Sequence, residues 1–233
     1  DHISREYELH KDFISRSETE IISELLEIHF PDNCHVIISS QPIDEIEKFK
    51  NKNYSVFEIE PWEIEQVKSL MLTFHIKDDV IEDDDISSIS AYLLEKSQGN
   101  ALYLSYILRQ LQNSDVNKEI IDEIPDYDIS LSKYYSYLYT KIRNTRTVNA
   151  LCGADFYLSL SDLMEITGDG EFVEQDISVL QPLLIENILN GGFSIYHESF
   201  RRFVLASLKE KKVDLARNVY GILADWLQEK PFF

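Results

Sequence analysis

A single glycine turn separates two helical patterns in the middle of the chain. The turn falls within 96–104, Lys-Ser-Gln-Gly-Asn-Ala-Leu-Tyr-Leu. Apolar residues recur at helical spacing on both sides of it: Ile86, Ile89, Tyr92, Leu93 and Leu94 before, and Leu104, Ile107, Leu108 and Leu111 after. Gly99 suits the left-handed position that ends a helix, and Asn100 is a favourable N-cap for the next one. The pattern predicts a helical hairpin, and two packed helices are its simplest interpretation.

Composition indicates a folded, acidic protein. The chain has 233 residues, of which 44% are hydrophobic, so it can form one or two domains with a sizeable core. Lys and Arg number 22 against 42 Asp and Glu, giving a net charge of −20. Such a charge repels phosphate backbones and anionic lipid surfaces. We therefore expect no contact with nucleic acid and none with a membrane.

Cysteine content and the absence of long apolar runs indicate the compartment. Cys34 and Cys152 are the only cysteines, so no disulfide framework is expected. The sequence contains neither an apolar run of membrane-spanning length nor a signal-peptide pattern. We expect a cytoplasmic location. Because the chain begins at Asp1 rather than at methionine, we also expect a piece of a longer protein.

Residues 1–60 have the pattern of alternating helices and strands. A helical stripe over 21–28 and a turn at 31–33 precede 34–40, a short apolar, β-branched run. Such a run is typical of a strand covered on both faces of a parallel sheet. A small helix over 44–50 and a second strand over 54–59 are predicted next. This order is α/β layering.

The rest of the chain has mainly helical patterns. Residues 61–125 predict a helical domain, with Pro61 in the first turn of its first helix and an acidic cap before Ile86. Residues 126–233 predict helices and then a β-hairpin with a turn at 190–192, which is the winged-helix arrangement, followed by two final helices. Ser161 is the predicted cap of one of these helices. The predicted fold is mostly α with an α/β remnant at 1–60.

Two of these segments resemble motifs of the STAND class of P-loop NTPases, which includes the NACHT and NB-ARC groups. The turn at Gly99 and Asn100 resembles the Gly-Asn-Pro-Leu turn of the family's helical lid, which lies over adenine, and Ala101 stands where the family has proline. Tyr196-His197-Glu198 resembles the Met-His-Asp motif, whose histidine meets the β-phosphate of ADP. The resemblance implies that Gly99, Asn100, Ala101 and His197 bind nucleotide.

Two further segments of the α/β part resemble the same family. Ser39 and Ser40, followed by Gln-Pro, resemble the Ser or Thr, Arg, Pro that end a strand there, with Gln41 in place of the arginine. Ligands bind at such strand ends in open α/β sheets. Asp1, followed by His-Ile, resembles the second acid of the family's Walker B strand, the carboxylate near magnesium and the lytic water. The resemblance thus implies a catalytic role for Asp1 and a nucleotide-binding role for Ser39 and Ser40.

A phosphate-binding loop is missing from this sequence. That loop needs Gly-x-x-x-x-Gly-Lys followed by Ser or Thr, and none of the seven glycines has this spacing. This segment alone should therefore neither hydrolyse ATP nor bind nucleotide tightly. The resemblance implies ATP or ADP with Mg²⁺ in a complete protein, partnership with an upstream P-loop half and an effector domain, and homo-oligomerisation on activation. A nucleotide-controlled signalling switch, as in bacterial antiphage defence, is the implied function.

Two other functions remain open. A winged-helix transcription regulator would use a recognition helix over 171–182, which contains Glu171, Glu174 and Asp176 but neither lysine nor arginine. That polarity opposes phosphate contact. A helical adaptor without a nucleotide role is the third hypothesis. The six histidines have no helical metal-ligand spacing, so no metal site of the protein's own is predicted.

Overall fold

The computed structural model describes residues 25–31, 33–38, 49, 55, 57–76, 85–112, 116, 118–189 and 191–230. The chain divides into two compact units, Asp1–Ile59 and Glu60–Phe233. Within the described residues, no helix combines the length and apolar character needed to cross a bilayer. The predicted division of the second unit at residue 125 stays a prediction.

The described residues of the first unit do not form the predicted strands. Residues 25–27 are helical, and the predicted turn is present, since the Cys34 N–H donates to the Pro31 carbonyl oxygen at 2.8 Å. The predicted buried strand over 34–40 is wrong in its described part, because 34–38 are irregular and exposed, Ile37 at 94%. The described part of the strand predicted over 54–59 is irregular too. A β-branched run becomes a strand only where neighbouring strands pair with it, and no strand is present among the described residues of this unit.

The second unit begins with four helices, which confirms the predicted helical region. They are α1 (Ile64–Thr73), α2 (Ile86–Ser97), α3 (Ala101–Leu111) and α4 (Lys118–Glu123). Helix α1 starts three residues after Pro61, since the Gln66 side chain accepts a hydrogen bond from the Glu63 N–H at 2.6 Å and fixes the first turn there. Asp85 caps α2 by accepting from the Ser88 N–H at 2.6 Å, as the acidic run predicted.

The rest of the second unit contains further helices and a small sheet. They are α5 (Ser132–Lys141), α6 (Thr145–Gly153), α7 (Leu160–Thr167), α8 (Gly170–Leu180), a 3₁₀ turn (Gln181–Leu183), α9 (Glu198–Glu210), a π-helical stretch (Ala216–Gly221) and α10 (Ile222–Gln228). The cap of α7 is Ser159 rather than the predicted Ser161, because its side chain accepts from the Asp162 N–H and the Asp162 carboxylate accepts from the Ser159 N–H.

The described sheet has three antiparallel strands, β1 (Leu158–Ser159), β2 (Leu184–Asn187) and β3 (Gly192–Ile195), in the order β1-β3-β2. Strands β2 and β3 form the predicted hairpin, with Leu184 opposite Ile195. The sequence analysis did not predict strand β1, because two residues are too few to show the alternation of apolar and polar side chains that is typical of a strand. The described residues are thus mostly helical with one small sheet, which confirms the coarse fold prediction.

Candidate functional site

Gly99 lies in a left-handed turn between α2 and α3 and packs against the segment that precedes α1. Gln98 and Gly99 have φ angles of 51° and 73°. The Gly99 carbonyl oxygen accepts a hydrogen bond from the Trp62 N–H at 2.8 Å. A Cβ at position 99 would lie 2.6 Å from the Trp62 carbonyl oxygen and 2.9 Å from the Pro61 Cβ. Glycine is therefore required for its φ, as predicted, and for a close approach that the sequence did not reveal.

Asn100 caps α3, as predicted, and also reaches a second element. Its Oδ1 accepts a hydrogen bond from the Tyr103 N–H at 2.8 Å, and its Nδ2 donates to the Tyr127 hydroxyl at 3.0 Å. Ala101 is the first residue of α3 and is half-buried. Gly99, Asn100 and Ala101 thus form one turn, and the asparagine joins it to the loop between α4 and α5.

A group of tyrosines fills the space between α3 and α5, and we call it the tyrosine cluster. Its members are Tyr103, Tyr106, Tyr127, Tyr134, Tyr135 and Tyr137. Ring centroids lie 5.7 Å apart for Tyr103 and Tyr127, 5.2 Å for Tyr103 and Tyr134, 5.8 Å for Tyr106 and Tyr134, and 6.4 Å for Tyr106 and Tyr135. Such aromatic pairs add to the free energy of burial. The packing role predicted for the tyrosines of α5 is confirmed for Tyr134 and Tyr135, which are buried.

His197 is exposed and lies at the N-cap of α9, directly after the hairpin. Its Nδ1 accepts a hydrogen bond from the Ser199 N–H at 3.3 Å and lies 2.7 Å from the Ser199 Oγ. The same Oγ is 2.5 Å from the Tyr135 hydroxyl. The histidine is therefore joined through one serine to the tyrosine cluster.

The structure connects the Gly99 turn and His197 through this cluster. The contacts run from Asn100 to Tyr127 by a hydrogen bond, then through the rings of Tyr103, Tyr134, Tyr106 and Tyr135, and by hydrogen bonds through Ser199 to His197. The two predicted binding regions, almost a hundred residues apart in sequence, are thus joined by packed side chains.

Arg109 is a contact residue that the sequence analysis missed. Its Nη1 donates to the carbonyl oxygens of Leu184 at 3.2 Å and Pro182 at 3.5 Å. Its guanidinium lies 4.7 Å from the ring centroid of Tyr196, next to His197 in sequence. Arg109 therefore joins α3 to the hairpin. The last turn of a helix favours a basic residue in any case, so the sequence held no separate signal for this contact.

The charges around His197 are largely paired. Arg201 donates to the Asp155 carboxylate at 2.6 Å and to the Ala154 carbonyl oxygen at 2.9 Å, and its Nε lies 3.4 Å from Glu198. Burial disfavours its charge, yet the hydrogen bond to Asp155 and the nearby Glu198 raise the pKa of Arg201 above its ordinary value. Arg201 thus serves the fold and offsets the charge of Glu198.

An open cavity of about 570 Å³ adjoins the turn. Its lining residues are Tyr92, Glu95, Lys96, Gln98, Asp122, Ile124, Pro125 and Asp126. Lys96 pairs with Asp126 at 3.4 Å, which leaves two further carboxylates at the wall. The volume suits a small ligand, but the excess of carboxylates opposes an anionic group there.

Helix α8 has an acidic outer face, but only two of its three acidic residues lie on that face. Glu171 and Glu174 are exposed, whereas Asp176 is fully buried. The Asp176 carboxylate accepts hydrogen bonds from the N–H groups of Arg143 at 2.7 Å and Asn144 at 3.0 Å, and from the Thr147 hydroxyl at 3.1 Å. Asp176 thus anchors the start of α6 to α8.

The remaining predicted site residues, Asp1, Ser39 and Ser40, lie outside the described residues. In the described part of the chain, no group of three or more His, Cys, Asp and Glu side chains could hold a metal ion. No protein-family model, curated protein or solved structure matches the chain.

Proposed function

We propose that this chain is the C-terminal part of the core of a STAND-type NTPase and acts as a nucleotide-controlled switch. ADP, held between an upstream phosphate loop, the Gly99 turn and His197, keeps the protein closed. Exchange for ATP opens it and permits self-association. Hydrolysis with Mg²⁺ depends on the upstream part, because this segment supplies no phosphate loop. A cytoplasmic antiphage role with an attached effector domain follows from the same resemblance alone.

The connection between the turn and His197 is the observation that carries this proposal. A switch needs two sites that respond to one ligand and an element that couples them. The tyrosine cluster supplies packed contacts from Asn100 to Ser199, and Ser199 contacts His197. Movement of either region would therefore disturb the other.

The chemistry at His197 suits a phosphate. The residue is exposed at the N-terminus of α9, a helix of 13 residues, where the helix dipole favours an anion. A hydrogen bond between an imidazole N–H and a charged phosphate contributes about 1.5–3 kcal/mol. The pairing of Glu198 with Arg201 reduces the repulsion that this carboxylate would otherwise exert.

The cavity beside the turn fits the base better than it fits the phosphates. Adenine is uncharged, and the half-buried Tyr92 and Pro125 offer it apolar surface. The phosphates would be repelled by Asp122 and Glu95 at the wall of the same cavity. The proposed pose therefore has the base at the turn and the phosphates directed away from it.

Nucleotide binding by a longer chain that includes the upstream segment tests the proposal. Titration calorimetry should give ADP binding that weakens by about tenfold or more in His197→Ala, since the lost hydrogen bond is to a charged group. His29→Ala, at an exposed histidine of the first unit, is the matched control and should bind as the parent does. Equal affinities for His197→Ala and the parent would refute the proposed role of His197.

Ala101→Pro is a second test, in which the variant should bind ADP more tightly rather than more weakly. Position 101 is the first of α3, where proline is well tolerated, and the extended backbone of Asn100 (φ −73°, ψ 111°) suits a residue before proline. The variant should keep its stability and bind ADP slightly more tightly, by less than about threefold, since the added apolar area is small. Weaker binding by a folded Ala101→Pro variant would argue against adenine at this turn.

An adaptor without nucleotide is the second candidate, and the hairpin turn favours it. Ile188 and Leu189 are 95% and 97% exposed there, and exposed apolar side chains at a loop tip suit a protein contact. An adaptor function predicts that Ile188→Ser with Leu189→Ser abolishes partner binding and that ADP does not bind at all. The acidic outer face of α8 gives no comparable support to DNA binding.

A further inference from the structure

We infer that Ser199 and Tyr135 are positioning residues that hold the His197 imidazole as the tautomer protonated at Nε2. The inference deepens the proposed function, on which its link to nucleotide rests. The tautomer itself follows from hydrogen bonds within the second unit and can be tested without nucleotide.

The donor at Ser199 decides which nitrogen of His197 carries the proton. The backbone N–H of Ser199 points at Nδ1 from 3.3 Å, and an N–H can only donate. Nδ1 must therefore present its lone pair, and in a neutral imidazole the proton is then on Nε2. The Ser199 hydroxyl, 2.7 Å from the same nitrogen, accordingly donates its proton to Nδ1.

Tyr135 fixes the direction of the serine hydroxyl. Since the Ser199 hydroxyl proton is committed to His197, its oxygen accepts from the Tyr135 hydroxyl at 2.5 Å. Tyr135 is itself buried between the rings of Tyr106 at 6.4 Å and Phe200 at 5.3 Å, so its hydroxyl is held in place. The order of donation is Tyr135 to Ser199 to His197, which joins the interior of the protein to the ring.

This order matters for the ligand that His197 would bind. An imidazole with its proton on Nε2 donates from that atom, whereas an imidazole with an unprotonated Nε2 would repel an anion. A second residue that orients a ring nitrogen is a general feature of histidines that act on ligands. Ser199 and Tyr135 would therefore select a hydrogen-bond acceptor such as a phosphate oxygen.

Nitrogen NMR of the imidazoles tests the tautomer directly. In this chain, at a pH where the ring is neutral, the His197 signal, assigned with His197→Gln, should show Nδ1 at the unprotonated limit and Nε2 at the protonated limit. In Ser199→Ala and in Tyr135→Phe the two shifts should move part of the way toward each other. The 2.7 Å contact of the serine hydroxyl is lost or weakened, whereas the 3.3 Å contact from the backbone N–H remains. Ser199→Thr, which restores a hydroxyl, should return them toward the parent values. Ser207→Ala on α9 and Tyr139→Phe on α5 are matched controls and should leave them unchanged.

Two outcomes would overturn the inference. One is a parent ring protonated at Nδ1, and the other is a folded Tyr135→Phe or Ser199→Ala variant with unchanged nitrogen shifts. A second measurement, ADP binding, tests the proposed function separately from the tautomer. In the longer chain, Ser199→Ala should weaken ADP binding by about tenfold. Shifts that move while ADP affinity stays constant would support the positioning role and refute the nucleotide role.

Discussion

The N–H of Trp62 donates a hydrogen bond to the carbonyl oxygen of Gly99 at 2.8 Å, so the segment before α1 is fastened to the turn between α2 and α3. A second hydrogen bond holds the last turn of α2, where the Lys96 carbonyl oxygen accepts from the Tyr127 N–H at 2.9 Å. The turn is therefore held by chain segments on both sides of it.

Gly99→Ala should destabilise the protein strongly. The new Cβ would lie within 3 Å of the Trp62 carbonyl oxygen and of the Pro61 Cβ, and φ is 73°. The left-handed conformation costs about 1–2 kcal/mol, and the clash adds about 1–3 kcal/mol. Chemical denaturation should show a loss of roughly 2–5 kcal/mol in the free energy of unfolding.

Gly168→Ala is the matched control, because Gly168 has nearly the same φ, 69°, but no atom within 4 Å of an added Cβ. It should cost only the conformational part, about 1–2 kcal/mol. Equal losses in the two variants would mean that the approach of Trp62 contributes nothing to the requirement for glycine at 99.

The contrast between these glycines shows where sequence reasoning succeeded and where it stopped. The helix-ending role of Gly99 and the capping role of Asn100 are local, so neighbouring residues predicted both. The partner of Gly99, Trp62, is thirty-seven positions away, and nothing in its own neighbourhood indicates the pairing. Likewise, apolar β-branched residues at 34–38 predicted a strand, although strand formation depends on partners elsewhere in the chain.

Ser159→Ala should cost more stability than Ser161→Ala. The Ser159 Oγ accepts from the Asp162 N–H at 3.1 Å at the start of α7, whereas Ser161 already lies inside the helix. Loss of an N-cap costs about 1 kcal/mol, and alanine is favourable inside a helix. Thermal or chemical unfolding of the two variants measures the difference. A larger loss of stability in Ser161→Ala than in Ser159→Ala would instead support Ser161 as the N-cap of α7.

Arg109→Ala should loosen the hairpin from α3. The substitution removes the hydrogen bond to Leu184 and the stacking on Tyr196, worth together about 1–3 kcal/mol. Arg109→Lys should recover only part of this, because an ammonium lacks the planar fork. Amide hydrogen exchange in β2 should become faster in Arg109→Ala. The matched control is Arg143→Ala, at an exposed arginine, and similar exchange in both variants would contradict the role of Arg109.

Asp176→Ala should be among the most destabilising changes in the second unit. It leaves two partly buried backbone N–H groups and the buried Thr147 hydroxyl without their acceptor, at roughly 3–5 kcal/mol in total. Asp176→Asn should also destabilise, since an amide group cannot accept at both terminal atoms. Glu174→Ala, at an exposed acid of the same helix, should change stability by less than about 0.5 kcal/mol. Comparable losses for Asp176→Ala and Glu174→Ala would contradict the anchoring role.

Alkaline pH should unfold the protein as the buried tyrosines ionise. Burial raises the pKa of Tyr103, Tyr106 and Tyr134 well above the ordinary value of about 10, and raises that of Tyr135 as well. Because these pKa values are higher in the folded state than in the unfolded one, their stabilisation is complete below about pH 10 and is lost as the pH rises further. Ultraviolet titration should show exposed tyrosines ionising first and the buried ones only together with the loss of circular dichroism. If all tyrosines ionised in one transition near pH 10 while the helical signal persisted, the tyrosine cluster would not be closed to solvent.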